Sequence, residues 1–186
     1  MERRASPPGQ RQASLRTGET PVAPSIAVPV IAVGDRKIVK IKVAWIGKTK
    51  EPAIQALTDE YLKRIRRYAE VAGLALKDEA AILSLATGER QQKKERHKLV
   101  LVDLRGKQLS SEELAEFLRR EQVNGNPLLF AIGGGDGFSD EARRYAGFTL
   151  SLGKMTLPHE LARVVLVEQL YRAFTILANH PYHLGH

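Results

Sequence analysis

Apolar positions along the chain switch repeatedly between a strand-like and a helix-like period. Ile38 to Ile46 is rich in β-branched residues and stops at Gly47, which predicts a strand. Pro52 to Tyr68 places Ile54, Leu57, Tyr61, Ile65 and Tyr68 on one helical stripe. Val71 to Leu76 reads as a second strand, and the increasingly charged stretch Asp78 to His97 as a helix. Leu99 to Val102 and Leu128 to Ile132 are short unbroken apolar runs, the pattern of parallel strands buried on both faces. Between them, Ser110 and Glu113 form a capping box ahead of a helix reaching about Gln122. Ser139 caps a short helix to about Tyr145, and Phe148 to Leu152 is a fifth strand. Pro158 then opens a long helix to about Ala178. This alternation predicts an α/β fold with an open, mostly parallel sheet and helices on both faces. Ligands of such sheets bind outside the carboxyl ends of the strands. Three ends stand out: Val102-Asp103, the run Gly133 to Gly137, and the loop Leu152 to Leu157.

Composition divides the chain. Five of the 9 prolines precede residue 37, and every aromatic residue follows it, beginning with Trp45. A segment rich in Pro, Arg and Ser and lacking aromatics buries too little surface to offset its ordering entropy. Residues 1–36 are therefore expected to be a disordered extension, and residues 37–186 the folded domain. Three readings of the extension stay open: a start assigned too far upstream, a basic arm touching RNA, and an organelle transit peptide. The absence of cysteine excludes a disulfide scaffold, a thiolate zinc site and a cysteine nucleophile. No apolar run approaches the length of a membrane span, so a soluble protein is expected; its expected place is the cytoplasm, with organelle targeting by the extension as the alternative. With 29 Lys+Arg against 21 Asp+Glu, the net charge of +8 suits a polyanionic partner. The basic residues gather at Lys63, Arg64, Arg66 and Arg67, and again from Arg90 to Lys98. Solvated faces are the plainer reading of each cluster; two in one small domain raise the alternative of phosphate binding.

Several motifs fail as signatures. In a dinucleotide fingerprint begun at Gly133, the third glycine falls on Phe138. The glycine run is either a tight turn or a place where backbone approaches a flat ligand. Gly47-Lys48-Thr49 resembles the end of a P-loop, but the first glycine's position holds Lys42. The five histidines show no metal-ligand spacing, so no metal site is expected. His180, His183 and His186 lie at the extreme C-terminus, either frayed or functional, with Pro181 and Tyr182 stiffening the segment. The last helix is apolar on most sides, which predicts burial all round by the domain or by a partner subunit. Within it, Glu168 and Arg172 are spaced for a structural ion pair or for an arginine aimed at an anionic substrate.

Four motifs occur in one order: Leu128 to Gly134 with Gly137-Phe138-Ser139; Ser151-Leu152 with Met155 to His159; Val167 to Ala173; and His180 to His183. Together they resemble the RlmH family, SPOUT-class methyltransferases of the bacterial large ribosomal subunit. The resemblance runs from about Ile38 to His183 and is weakest between Lys77 and Lys98. It implies a C-terminal trefoil knot, a rare exception among folds, and a homodimer with its cofactor site near the subunit interface. It implies methyl transfer from S-adenosyl-L-methionine to N3 of a pseudouridine in 23S rRNA on the assembled ribosome, with no metal, membrane or DNA partner. The matching cofactor positions are Val102, Gly133, Leu152, Gly153, Lys154, Met155, Thr156 and Leu157. His159, Arg172, Tyr182 and His183 are the candidates to face the substrate. The family usually ends on a basic residue soon after its Tyr-His pair; here Leu184-Gly185-His186 follow, which puts that RNA contact in doubt. The competing class is a ribosome-binding factor without enzymatic activity, and a more distant one a SPOUT enzyme acting on another RNA.

Overall fold

The structure, a computed structural model, describes residues 39–89 and 95–184, with the side chains of His183 and Leu184 outside that description. The extension expected at 1–36 and most of the second basic cluster lie outside the described residues. Five strands form one sheet: Lys40–Ile46 (β1), Glu70–Leu76 (β2), Lys98–Gln108 (β3), Leu128–Ile132 (β4) and Phe148–Ser151 (β5). All pairings are parallel, in the order β2-β1-β4-β3-β5. The helices are Pro52–Ile65 (α1), Glu79–Thr87 (α2), Ser111–Asn124 (α3), Asp140–Tyr145 (α4) and His159–Leu177 (α5), followed by a 3₁₀ turn at Pro181–Leu184.

The unbroken apolar runs mark the centre of the sheet, as buried parallel strands require. Phe130 of β4 is in register with Val43 of β1 on one side and Val100 of β3 on the other. All five residues of β4 are buried. Leu128, Phe130 and Ile132 face a core built with α1, α3 and α5, while Leu129 and Ala131 face one built with Ile82 and Ala86 of α2 and Ala142 of α4. Helices thus cover both faces, as the alternation predicts. The capping box forms: Ser110 Oγ accepts from the Glu113 amide at 3.1 Å, and Glu113 accepts from the Ser110 amide at 2.8 Å. No helix among the described residues is long and apolar enough to cross a membrane.

Two expectations need correction, and one open reading narrows. The helix expected to run to His97 ends at Thr87, because Gly88 adopts φ +79° and supplies a left-handed cap. The strand expected to end at Val102 continues to Gln108. Both Val102 and Lys107 align with Leu150 of β5, so residues 103–106 are pushed out as a bulge. Gly106 makes this feasible: a Cβ there would stand 2.6 Å from the Leu150 carbonyl carbon. Finally, of the two readings of α5, burial by the domain alone does not hold in one chain. It lies between α1 and α3 on the sheet, with Leu166, Val167, Leu170 and Phe174 in the core. Leu161 remains 45% exposed, and Val164 and Val165 are half-buried, because no fourth element of the described chain covers that side.

Candidate functional site

The carboxyl ends of β3, β4 and β5 converge on a cleft of about 350 Å³, within the size range of small-molecule sites. Three segments build it: the β3 bulge Val102 to Arg105, the β4–α4 turn Ile132 to Phe138, and the β5–α5 loop around Leu152 to Leu157. His159 and Ala162, in the first turn of α5, complete the rim.

The glycine run divides its labour. A Cβ on Gly133 would meet Gly137 backbone at 3.1 Å, so Gly133 closes the turn. The turn is locked by the Gly137 amide donating to the Gly134 carbonyl at 3.1 Å, with Gly137 at φ +73°. Gly134 and Gly135 are different: added Cβ atoms there would find nothing nearer than 3.9 Å. Backbone at those two positions lies open to a ligand. After the turn, Ser139 Oγ accepts from the Ala142 amide at 3.2 Å and caps α4. Glu79 of α2 anchors the same residue, accepting from its amide at 2.9 Å and from its hydroxyl.

The third segment is shaped by Gly153, whose φ of +141° excludes other residues, and by Ser151, whose hydroxyl donates to the Gly153 carbonyl at 3.0 Å. Apolar side chains of Ile132, Leu152 and Leu157 line the interior, and Met155 stands at the mouth, 80% exposed. Backbone edges beside apolar faces suit a flat heterocycle: the amides read its polar edge and the side chains cover its faces.

Charge enters through the bulge. Asp103 Oδ2 accepts from Arg143 Nη2 at 3.2 Å, and its Oδ1 from the Arg105 amide at 2.9 Å. Burial alone would raise the Asp103 pKa, but the Arg105 amide and the Arg143 guanidinium outweigh it and keep the carboxyl below its usual range. It therefore stays ionised at the cleft wall.

Of the residues expected from sequence, Val102, Gly133, Leu152, Gly153, Met155, Thr156, Leu157 and His159 meet around this cleft. Lys154 is exposed on the same loop and does not line it. Arg172 does not reach it. It lies on α5 beyond His159 by roughly 20 Å at the helical rise per residue. There its guanidinium pairs with Glu168 at 2.8 Å and lies over the Tyr182 ring at 5.1 Å, while the Tyr182 hydroxyl donates to Glu168 at 3.2 Å. The plainer reading of Glu168 and Arg172, a structural ion pair, is thus the arrangement in one chain. Burial first, then hydrogen bonds with Tyr61 and Glu168, push the Tyr182 phenol above its ordinary pKa, so it stays protonated at neutral pH. The His183 side chain lies outside the described residues. Sequence reasoning placed Asp103 at a strand end facing the site but gave it no role, and missed Arg105 and Arg143 as cleft residues; Gly106, three residues beyond Asp103, was the available sign of a bulge.

A model of the SPOUT methyltransferase family matches residues 39–183. The chain is 55% identical over 148 residues to the ribosomal RNA large subunit methyltransferase H of Koribacter versatilis, covering 79% of this chain and 99% of that protein. It is 42% identical over 151 residues to the protein of the same name from Geobacter sulfurreducens, covering 77% of this chain and 99% of that one. Among solved structures, a probable methylase family protein from Haemophilus influenzae Rd KW20 overlays with a TM-score of 0.48 at 15% identity, covering 77% of this chain and 70% of that one.

Proposed function

The chain belongs to the SPOUT methyltransferase family, and from that premise we propose that it methylates N3 of a pseudouridine in the 23S RNA of the large ribosomal subunit, with S-adenosylmethionine as methyl donor. The observation that carries this reading is the cleft at the ends of β3, β4 and β5, two of whose three segments, the β4–α4 turn and the β5–α5 loop, are spanned by motifs of the sequence. Its chemistry fits the donor. Gly134 and Gly135 leave backbone open, and Leu152 and Leu157 offer apolar faces for an adenine.

The donor, once bound, supplies a methyl group already activated on a sulfonium. What remains for the protein is to set acceptor and methyl group about 3–3.5 Å apart and to let the N3 proton leave. His159, exposed at the rim, is the residue we assign to meet the substrate and to accept or relay that proton. Glu160 steadies the turn carrying His159 by accepting from the Lys50 amide at 2.9 Å. Arg172, Tyr182 and His183 belong to the far end of α5, so a single chain does not join them to His159. We assign them to the cleft of a second copy, in a homodimer whose sites each draw on both subunits. Exposed apolar side chains at Leu104, Met155 and Leu161, around or beside the cleft, support a subunit contact there. A trefoil knot in the C-terminal segment and action on the assembled ribosome belong to the same proposal.

The test is methyl transfer from labelled S-adenosylmethionine to ribosomes lacking the modification, followed by nucleoside mass analysis. Methylated pseudouridine in 23S RNA is the expected product. Cofactor binding without that product redirects the enzyme to another RNA; absence of cofactor binding overturns the enzymatic reading in favour of a ribosome-binding factor.

A further inference from the structure

A second concavity, of about 360 Å³, lies at the other end of the molecule from the cleft, where α1 ends and the chain leaves α5. It is lined by Glu60, Lys63, Arg64, Arg67, Tyr171 and His180. The four residues from α1 and its exit turn are spaced i, i+3, i+4, i+7, so they share one face. Their roles differ. Arg64 is committed to structure: it pairs with Glu60 at 2.8 Å and lies 5.4 Å and 5.8 Å from the ring centroids of Tyr61 and Tyr171. Lys63 and Arg67 are exposed, and among the described residues neither has a carboxylate within ion-pair distance. Glu60, the one acidic residue of the lining, is already taken by Arg64.

Cations at a helix C-terminus also satisfy the helix dipole. That account leaves out His180, which comes from a different segment yet lines the same groove. Its Nδ1 accepts from the Tyr182 amide at 3.2 Å, so a neutral ring carries its proton on Nε2 as a donor. Two unpaired cations and an imidazole donor match the chemistry of a phosphodiester; Tyr171, buried against Tyr61, Tyr68 and Tyr182, forms the floor between them.

We propose that this groove is a phosphate-binding site for the backbone of the large-subunit RNA, separate from the methyl-transfer cleft; the proposal rests on the functional reading above. Its position suits the dimer of that reading. Tyr171 in the groove packs edge-on against Tyr182 at 4.7 Å between ring centroids. A C-terminal turn that reaches the partner's cleft therefore carries this groove with it. RNA held there is positioned beside a target nucleotide in the neighbouring subunit's cleft.

The test compares the full-length homodimer with the double variant Lys63→Gln/Arg67→Gln, and with a control of equal charge loss on α3, Arg119→Gln/Arg120→Gln. Binding to assembled ribosomes is followed by sedimentation across a salt series, and cofactor affinity by titration as a check on folding. The groove variant should bind ribosomes roughly tenfold more weakly, with the slope of log K against log salt reduced by about 1.4 for two single-strand phosphate contacts. Cofactor affinity and the α3 control should match wild type. An unchanged slope, or equal losses in both variants, overturns the proposal. So does capture of the protein by phosphatidylglycerol vesicles through Lys63 and Arg67 without ribosome binding. Because binding is read without methyl transfer, absence of methylated product in the wild type would count against the functional reading alone.

Discussion

Replacing Gly106 by alanine should open the cleft from its wall. The new methyl carbon would lie 2.6 Å from the Leu150 carbonyl carbon and 2.7 Å from the carbonyl carbon and oxygen of Thr149. Carbon atoms rest about 3.5–4.0 Å apart, so β3 must withdraw from β5 by roughly 1 Å. The atoms met are backbone, and backbone paired in register on either side of the bulge, at Val102 with Leu150 and Gln108 with Ser151. No rotamer change relieves the clash. Overpacking of this kind costs about 1–3 kcal/mol, and one or two weakened ladder hydrogen bonds add about 1 kcal/mol each. A total of about 2–5 kcal/mol corresponds to a fall in Tm of roughly 4–20 °C for a chain of this size. The withdrawal also displaces Asp103 and Arg105, so affinity for S-adenosylmethionine should drop by about tenfold or more. Thermal unfolding followed by circular dichroism, with calorimetric titration of the cofactor, reads both effects. A Tm within about 1 °C of wild type together with unchanged affinity would refute the claim that Gly106 allows the bulge.

Within the glycine turn, Gly134→Ala should shift stability by less than about 0.5 kcal/mol but weaken cofactor binding, whereas Gly133→Ala should destabilise the fold; urea unfolding and cofactor titration of each separate the two roles. Arg163 is only 1% exposed, stacked 4.2 Å from the Trp45 ring and bonded to Thr58 at 3.1 Å, and its Nη2 is buried with no hydrogen-bond partner among the described residues. Replacing such a buried charge by an apolar residue of similar length is often neutral or stabilising, so Arg163→Met should lie within about 1 kcal/mol of wild type or above it; a loss beyond about 3 kcal/mol in urea unfolding contradicts that account. His97 is 5% exposed, and burial, then the nearby charge of Lys42, lower its pKa from 6.5. The unfolded chain therefore takes up the proton first: stability is intact above about pH 6.5 and falls as pH drops towards the folded pKa, by at most about 1.4 kcal/mol per pH unit. His97→Leu should flatten that part of the stability profile, and an unchanged pH dependence would show that other groups cause it.

The periodicities of the chain determined the elements and their order, because burial of parallel strands on both faces demands unbroken runs such as Leu128 to Ile132. Local chemistry determined several ends as well: Ser110 with Glu113 announces the start of α3, and Ser139 that of α4. Even the three segments around the cleft were legible, since parallel strands bring their carboxyl ends to one edge. Two element ends went unread for the same reason. Gly88 and Gly106 are single glycines whose meaning depends on a backbone angle or a neighbouring strand, and neither is written in the periodicity.

What only the tertiary structure decided is where residues far apart in sequence stand relative to one another. His159 and Arg172 lie on one helix and belong to one family of motifs, yet the rigid rise of α5 separates them, and Glu168 and Tyr182 occupy the arginine locally. The same helix, apolar on most sides, left its burial open to domain or partner; the sheet, α1 and α3 cover three sides and leave Leu161 exposed. The basic run at the end of α1 became a groove only when His180 arrived from the end of α5. Side-chain periodicity records which face of an element is buried, a short-range property of the chain. Which charges, rings and backbone edges meet across elements depends on how those faces pack, and packing is settled only when the whole core forms.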